Sequence, residues 1–267
     1  MIKLICCDLD GTLLTKEKKL TNENKLAIKK FREKGGHFVI ATGRPIEGVL
    51  DLIKELDLTA YNDATLTYNG AVVRLNKTKE FLNKITISGK IVKDLYKESL
   101  RLGTYFHFFS ETGELYTPEE NEYTQVEERI NKIEAKVVDP LTFVKDDDRF
   151  IKAMMVGDNE VLNYARNNLD KRFLGLSIVR SSLIFLEFQD YNVSKGNGLK
   201  FLQKYYNLND DETMAFGDEE NDLSMIKEAY IGVAMENGVE LCKKAARFIT
   251  KDNEHSGVAF GIEKFAL

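Results

Sequence analysis

The sequence predicts an α/β protein: a doubly wound, largely parallel sheet whose chain is interrupted by a smaller α+β module. Three observations predict it. An apolar run, Leu4-Ile5-Cys6-Cys7, ends in Asp8-Leu9-Asp10-Gly11-Thr12, and a second, His37 to Ala41, ends in Thr42-Gly43-Arg44-Pro45 before a helical pattern. Strand and helix alternate in this way again only after Glu187. The stretch between, from about Thr78 to Leu186, carries strands and helices but no acidic strand end like Asp8/Asp10.

The elements follow in order. After the first strand and a polar loop, Asn22 to Lys34 is helical: Ala27, Ile28 and Phe31 share a face, and Gly35-Gly36 stops it. Pro45 suits a first helical turn, and Ile46, Val49, Leu50 and Ile53 follow at helical spacing. Thr65 to Leu75 reads as strand, Asn69-Gly70 turn, strand. In the middle module, helices are expected through Ile91, Leu95 and Leu102, through Val126, Ile130 and Ile133, and through Val161, Leu162, Ala165 and Leu169. Tyr105 to Phe109 and Phe150 to Val156 read as strands, and Leu174 to Val179 and Leu183 to Phe188 as a pair. An aromatic run such as Tyr105 to Phe109 is more often core than ligand pocket, and His107 reads as structural. Ser194-Lys195-Gly196 opens a helix carrying Leu199, Leu202 and Tyr206. Strands at Thr213–Phe216, Ile231–Ala234 and Arg247–Thr250 close the chain. The expected division is a discontinuous, Rossmann-like core at 1–80 and 187–267, with an inserted α+β domain at 81–186.

At 267 residues the chain has room for one large domain or two modest ones. No apolar run approaches the ~20 residues of a membrane helix, and no signal-peptide pattern precedes the first strand. A net charge of -5 argues against a non-specific nucleic-acid binder. Cys6, Cys7 and Cys242 lack metal-site spacing and suggest reduced thiols in a cytoplasmic protein.

Asp8 and Asp10, two apart, would project to one side of an extended strand, at the sheet edge where ligands bind. Carboxylates crowded there need a cation or a shared proton, and Mg2+ with substrate phosphate oxygens fits. A calcium loop would need glycine at its sixth position, whereas Gly11 is fourth. A solvated acidic turn is the bland alternative. Thr42 could be only a helix cap, Lys195 a solvated lysine and Asp218–Asp222 a charged first turn. Four polar turns at successive strand ends weigh against so many coincidences: Asp8/Asp10, Thr42-Gly43, Ser194-Lys195-Gly196 and Asp218/Asn221/Asp222.

Asp8-Leu9-Asp10-Gly11-Thr12-Leu13-Leu14, Thr42-Gly43-Arg44, Val193-Ser194-Lys195-Gly196 and Gly217-Asp218-Glu219-Glu220-Asn221-Asp222 together resemble the haloacid dehalogenase superfamily. Asn69-Gly70-Ala71 and Asn253 to Val258 are similar to its Cof-type phosphatases, which carry a large α/β cap between the second and third core motifs. Members often have a proline before the Lys-Gly turn; here Glu187 to Asn192 has none. The resemblance implies a Mg2+-dependent phosphatase of small phosphorylated metabolites such as sugar phosphates. It makes Asp8 the nucleophile and Asp10 the general acid and then base, initially protonated. Asp8, Asp10 through its backbone carbonyl, and Asp218 would hold the metal, with Asp222 orienting that group. Leu9, Thr42, Gly43, Lys195 and Asn221 would bind the phosphoryl group. Arg44, Asn69 and Gly70 could reach the substrate from the core, although Asn69 could equally be a plain hairpin residue. The cap would select the leaving group. No nucleic-acid or membrane partner is implied, and the chain is expected to be a monomer or weak dimer. A phosphomutase and a non-catalytic metabolite-binding protein are the rivals. A dehalogenase is disfavoured, because it gives Asp10 no role and needs no Mg2+.

Overall fold

A computed structural model describes all 267 residues. The first stretch runs β1 (Leu4–Cys7), α1 (Asn22–Glu33), β2 (His37–Ala41), α2 (Leu50–Glu55), β3 (Ala64–Thr67), β4 (Val72–Leu75) and β5 (Phe81–Lys84). The middle runs β6 (Ile87–Ser88), α3 (Gly89–Leu102), β7 (Tyr105–Ser110), β8 (Leu115–Thr117), α4 (Glu122–Asn131), β9 (Ala135–Val137), α5 (Pro140–Phe143), β10 (Arg149–Val156), α6 (Asn159–Asn167), β11 (Ser177–Ser182) and β12 (Phe185–Gln189). The last runs α7 (Lys195–Tyr205), β13 (Thr213–Gly217), α8 (Leu223–Glu228), β14 (Ile231–Ala234), α9 (Glu240–Ala245), β15 (Phe248–Ile249) and α10 (Gly257–Phe265). Contacts group these into two units. One comprises Met1–Gly43, Leu50–Asn83 and Ser194–Leu267, the other Arg44–Val49 and Lys84–Val193.

The first unit is built on an eight-stranded sheet, ordered β15-β14-β13-β1-β2-β3-β4-β5. Neighbours from β15 to β3 are parallel, as βαβ connections require, and β4 turns back antiparallel on β3. The central strands are apolar on both faces: Leu4, Cys6, Val39, Ala41, Leu66 and Ala215 share one core with Leu199 and Leu202 of α7, and Ile5, Cys7, Phe38, Ile40 and Phe216 are buried on the opposite face. Thr21 caps α1 by accepting from the Asn24 N–H, while Ala27, Ile28 and Phe31 are buried as their spacing requires. Burying a side chain the size of Phe31 contributes about 1.5–3 kcal/mol. The helix expected from Pro45 is broken. Ile46–Val49 forms a 3-10 turn and α2 starts only at Leu50.

The second unit carries a sheet ordered β11-β12-β10-β7-β8-β9, with β6 on β10. Its pairs are antiparallel except β8 with β9. One face, with Phe106, Phe108, Met155, Leu186 and Phe188, packs against Val92, Leu95 and Leu102 of α3 and Leu162 and Ala165 of α6. Alternation sends His107, Lys152 and Glu187 to the opposite face, and they are buried too. The units part at Val193/Ser194, not at 186/187, because β12 is paired to β10 and β11 along its length.

α4 departs from its sequence pattern. Val126 and Ile130 were expected to mark its packed face, yet Ile130 is 39% exposed. The buried stripe is Tyr123, Thr124, Glu127 and Asn131.

No helix is long and apolar enough to cross a membrane. The three cysteines are buried and unpaired.

Candidate active site

The parallel register sets the site. Cys7 is level with Ile40 on one side and Phe216 on the other, so β1, β2 and β13 end together. Asp8, Thr42 and Asp218 therefore leave the sheet at its carboxyl edge, where a parallel sheet presents its ligand-binding turns. Backbone bonds continue the ladder past the strands: Asp8 N donates to Phe216 O at 3.0 Å and Thr42 N to Leu66 O at 2.9 Å.

Lys195 is the hub. It is fully buried at the first position of α7, whose cap Ser194 accepts from the Asn197 N–H. Its ammonium donates to Asp8 Oδ1 at 2.5 Å and to Asp222 Oδ1 at 2.6 Å. Asp222 Oδ2 accepts from the backbone N–H of Asp218 at 2.9 Å and of Glu219 at 3.1 Å. Both Asp222 oxygens are thus committed to holding the turn and the lysine. Asp218 Oδ1 accepts from the Thr12 hydroxyl at 2.6 Å. Asp8 and Asp218 each keep one oxygen outside these bonds.

Oxygens of Asp8, Asp218 and Asp222 lie within 4.8 Å of one another. Burial pushes the Asp8 carboxyl well above the usual range, and the Asp222 charge adds to that; Lys195 only partly offsets them. Burial raises Asp218 to about 7, again with Asp222 beside it and against the Thr12 bond. Burial alone would lower Lys195, but Asp222 and Asp8 outweigh it and keep the ammonium charged. Three buried carboxylates facing one lysine lack positive charge. A hard divalent cation bound by carboxylate oxygens supplies what this donor set lacks.

Asp10 is placed differently. β1 stops at Cys7, so Asp8 and Asp10 do not share one strand face. Gly11 turns the chain at φ +87°, and a Cβ there would lie 2.3 Å from Asp218 Oδ2. Asp10 is half-exposed and ion-paired with Lys18 at 2.6 Å. Its carboxylate is outside the three-aspartate group, although its charge still acts on Asp8 and helps to raise that carboxyl.

The remaining predicted positions fall into three sets. Asn221 joins the first unit's polar edge, donating its amide to Asn69 Oδ1 at 3.0 Å. Asn69 is more than a hairpin residue. It sits in left-handed conformation (φ 58°), its N–H donates to Thr42 O, and its Oδ1 lies 3.1 Å from where a Gly43 Cβ would be. Gly70 lets the turn touch α7, since a Cβ there would meet Ser194 O at 2.3 Å. The Leu9 side chain is fully buried, so only its backbone could serve a ligand. Arg44 was expected in the core but belongs to the second unit, where its guanidinium donates to Gly48 O at 3.3 Å.

Sequence reasoning missed Thr12, Lys18, Asn237, which donates to Gly11 O at 2.8 Å, and Ser224, which accepts from Gly196 N at 3.0 Å. Thr12 lay inside the leading motif and could have been found as a hydroxyl next to a strand-end carboxylate. Lys18 reaches Asp10 from eight residues along the same loop, and Asn237 and Ser224 meet the site only through contacts distant in sequence.

A model of haloacid dehalogenase-like hydrolases matches residues 5–262. A Streptococcus pyogenes protein designated a phosphatase is 36% identical over 269 residues, taking in 100% of this chain and 99% of that protein. A Bacillus subtilis protein named a 5-amino-6-(5-phospho-D-ribitylamino)uracil phosphatase is 29% identical, over 100% of this chain and 96% of its own. The crystal structure of a haloacid dehalogenase-like hydrolase from Bacteroides thetaiotaomicron superposes with a TM-score of 0.86 at 32% identity, covering 99% of each chain.

Proposed function

This chain belongs to the haloacid dehalogenase-like hydrolases and hydrolyses phosphoric monoesters; on that premise we propose a Mg2+-dependent reaction through a covalent phosphoryl group on Asp8. The buried Asp8–Lys195–Asp222 set beside Asp218 is the observation that carries this reading. An Asp8 oxygen attacks phosphorus, and the ester oxygen departs with a proton from Asp10. Asp10 then takes a proton from water. The water oxygen attacks phosphorus, the Asp8–phosphorus bond breaks, and phosphate leaves. Asp10 must part from Lys18 for either transfer.

Asp8 and Asp218, with the Asp10 backbone carbonyl, would hold the metal, and Asp222 would orient them. Bound there, Mg2+ supplies the positive charge that offsets repulsion between the carboxylate and the phosphate. Lys195, Thr42, Asn221 and the backbone at Leu9 and Gly43 would grip the phosphoryl oxygens, with Asn69 and Gly70 shaping that edge. The inserted unit would select the leaving group from small phosphorylated metabolites such as sugar phosphates. The name of the Bacillus subtilis relative, whose substrate bears phosphate on a ribityl chain, supports that class.

The test is phosphate release from a panel of small phosphate monoesters, with Mg2+ or with EDTA, for the parent and for Asp8→Asn. Release that needs Mg2+ and drops at least a thousandfold in Asp8→Asn is expected. Undiminished turnover in either the EDTA or the Asp8→Asn arm refutes the mechanism.

A further inference from the structure

Residues 11–20 connect β1 to α1 and form neither helix nor strand. Three asparagines from other parts of the first unit hold this stretch by its carbonyls. Asn237, in the turn after β14, donates its amide to Gly11 O at 2.8 Å. Asn24 of α1 donates to Leu13 O at 3.2 Å. Asn253, in the 3-10 turn before α10, donates to Leu14 O at 2.8 Å. Two of the three are anchored by their oxygens as well. Asn237 Oδ1 accepts from the Asn253 N–H at 3.1 Å, and Asn24 Oδ1 from the Ala259 N–H of α10 at 2.9 Å.

These bonds close round Asp10. Leu14 bridges to Asp10, and its N–H donates to Leu9 O at 2.9 Å. Asn253 therefore holds, through Leu14, the carbonyl just before Asp10, and Asn237 holds the carbonyl just after it. The bond from the Asn253 N–H to Asn237 joins the two grips into one.

The need to pair buried backbone carbonyls accounts for Asn24 and Asn253, which are buried. It does not account for Asn237, which is exposed. Water could bond Gly11 O there at little net cost in stability. What a fixed amide gives and water does not is a defined position. Position matters at Asp10, because Lys18, from the exposed part of the same loop, draws its carboxylate aside at 2.6 Å. With the backbone pinned on both sides, rotation of the side chain is enough to bring that carboxyl back. A displacement of about 1 Å at a reacting group can cost about a hundredfold in rate.

We propose that Asn237 and Asn253 are positioning residues for Asp10, fixing the backbone on either side of it so that its carboxyl meets the departing ester oxygen. The assignment rests on the phosphatase reading with Asp10 as general acid. It gives the segment from Asn253 to Val258, which the mechanism otherwise leaves unused, a task in the reaction.

The experiment reads kcat/KM, which covers every step through departure of the ester oxygen. It is measured at saturating Mg2+ for p-nitrophenyl phosphate and for three alkyl esters, glycerol 3-phosphate, glucose 6-phosphate and ribose 5-phosphate. A nitrophenolate leaves without a proton, whereas an alkoxide needs one from the general acid. The quotient, best alkyl ester over p-nitrophenyl phosphate, is compared in the parent, Asp10→Ala, Asn237→Ala and Asn253→Ala. A variant that is partly unfolded or short of metal loses both kinds of ester alike and leaves the quotient unmoved. The quotient should fall about a hundredfold or more in Asp10→Ala and tenfold or more in both asparagine variants. Asn237 is exposed, so its variant carries the test by itself should Asn253→Ala fail to fold. The full fall in Asp10→Ala with less than a tenfold fall in a folded asparagine variant overturns the proposal and leaves the phosphatase mechanism standing. A smaller fall in Asp10→Ala, or a parent that releases no phosphate from any alkyl ester, defeats the acid role of Asp10 and the inference with it.

Discussion

Replacing Lys195 by methionine keeps the length of the side chain and removes its charge. Lys195 is the single cation bonded to Asp8 and Asp222, at 2.5 and 2.6 Å, and all three groups are buried. Removing one partner of a buried ion pair costs about 3–5 kcal/mol. Two carboxylates within 4.8 Å of each other add about 3 kcal/mol of repulsion at an effective dielectric near 20 if both remain charged. They will not both remain charged, so the loss should stay near 3–5 kcal/mol at pH 8. The sign with pH follows from linkage. Carboxyls raised in the folded state hold protons that the unfolded chain has released above about pH 4. Asp8 and Asp218 are raised in the parent too, and losing the Lys195 charge that lowers them raises them further, so the native variant binds more protons than the native parent and its deficit shrinks as pH falls from 8 toward 5. The assay is urea unfolding of parent and variant in EDTA at both pH values. The deficit should at least halve at pH 5. A deficit under about 1 kcal/mol at pH 8, or an equal one at both pH values, would refute Lys195 as the charge that holds the site together.

Other outcomes are as definite. Gly11→Ala must place a Cβ 2.3 Å from Asp218 Oδ2 at φ +87°; the strain displaces Asp218, and the Mg2+ concentration for half-maximal activity should rise at least tenfold. Thr12→Val removes the donor to Asp218 Oδ1, a bond to a charged group worth about 1.5–3 kcal/mol, so calorimetry should find Mg2+ binding ten- to a hundredfold weaker. In the second unit burial holds His107 down to about 3 and Glu127 up to about 7. Below pH 6.5 the unfolded chain takes the histidine proton first and stability falls with acidification; below pH 7 the native Glu127 takes a proton first and stability rises. Each slope is about 1.4 kcal/mol per pH unit, so the two cancel between pH 4.5 and 6.5. Asp8 and Asp218 are raised in parent and variant alike, so the opposition shows in the difference: relative to the parent, the urea midpoint of Glu127→Gln should fall steadily on acidification from about pH 6.5 to 4.5; parallel profiles would refute the opposition.

The core of the site was legible because strand-end chemistry is local. Cys7-to-Thr12, Thr42-Gly43 and Gly217-to-Asp222 each announce a strand, its end and its polar turn within a few residues, and the parallel register then brings them to one edge. What was not legible depends on contacts across the chain. Asp10 reads as the twin of Asp8, but β1 ends before either residue, and Lys18 claims the second carboxylate. Asn69-Gly70 reads as a common hairpin signal; that Asn69 holds Asn221 depends on a partner 152 positions away. α4 misled most. Val126 and Ile130 mark a plausible apolar stripe, and helical periodicity cannot tell which face the rest of the unit has furnished with buried charges.

The strand order of the first sheet has a consequence during synthesis. β1 lies between β2, made at once, and β13, which leaves the ribosome roughly 200 residues later, or about 10–40 s at usual elongation rates. For that interval one edge of an apolar strand is unpaired, and Asp8 has neither its lysine nor the other two aspartates, all of which lie beyond residue 194. The second unit, encoded almost wholly between these events, can finish its own sheet while the first waits. Catalytic competence is therefore the last property the nascent chain acquires, and a chain truncated before β13 would be hydrophobic at one edge, inactive, and a natural client for chaperones.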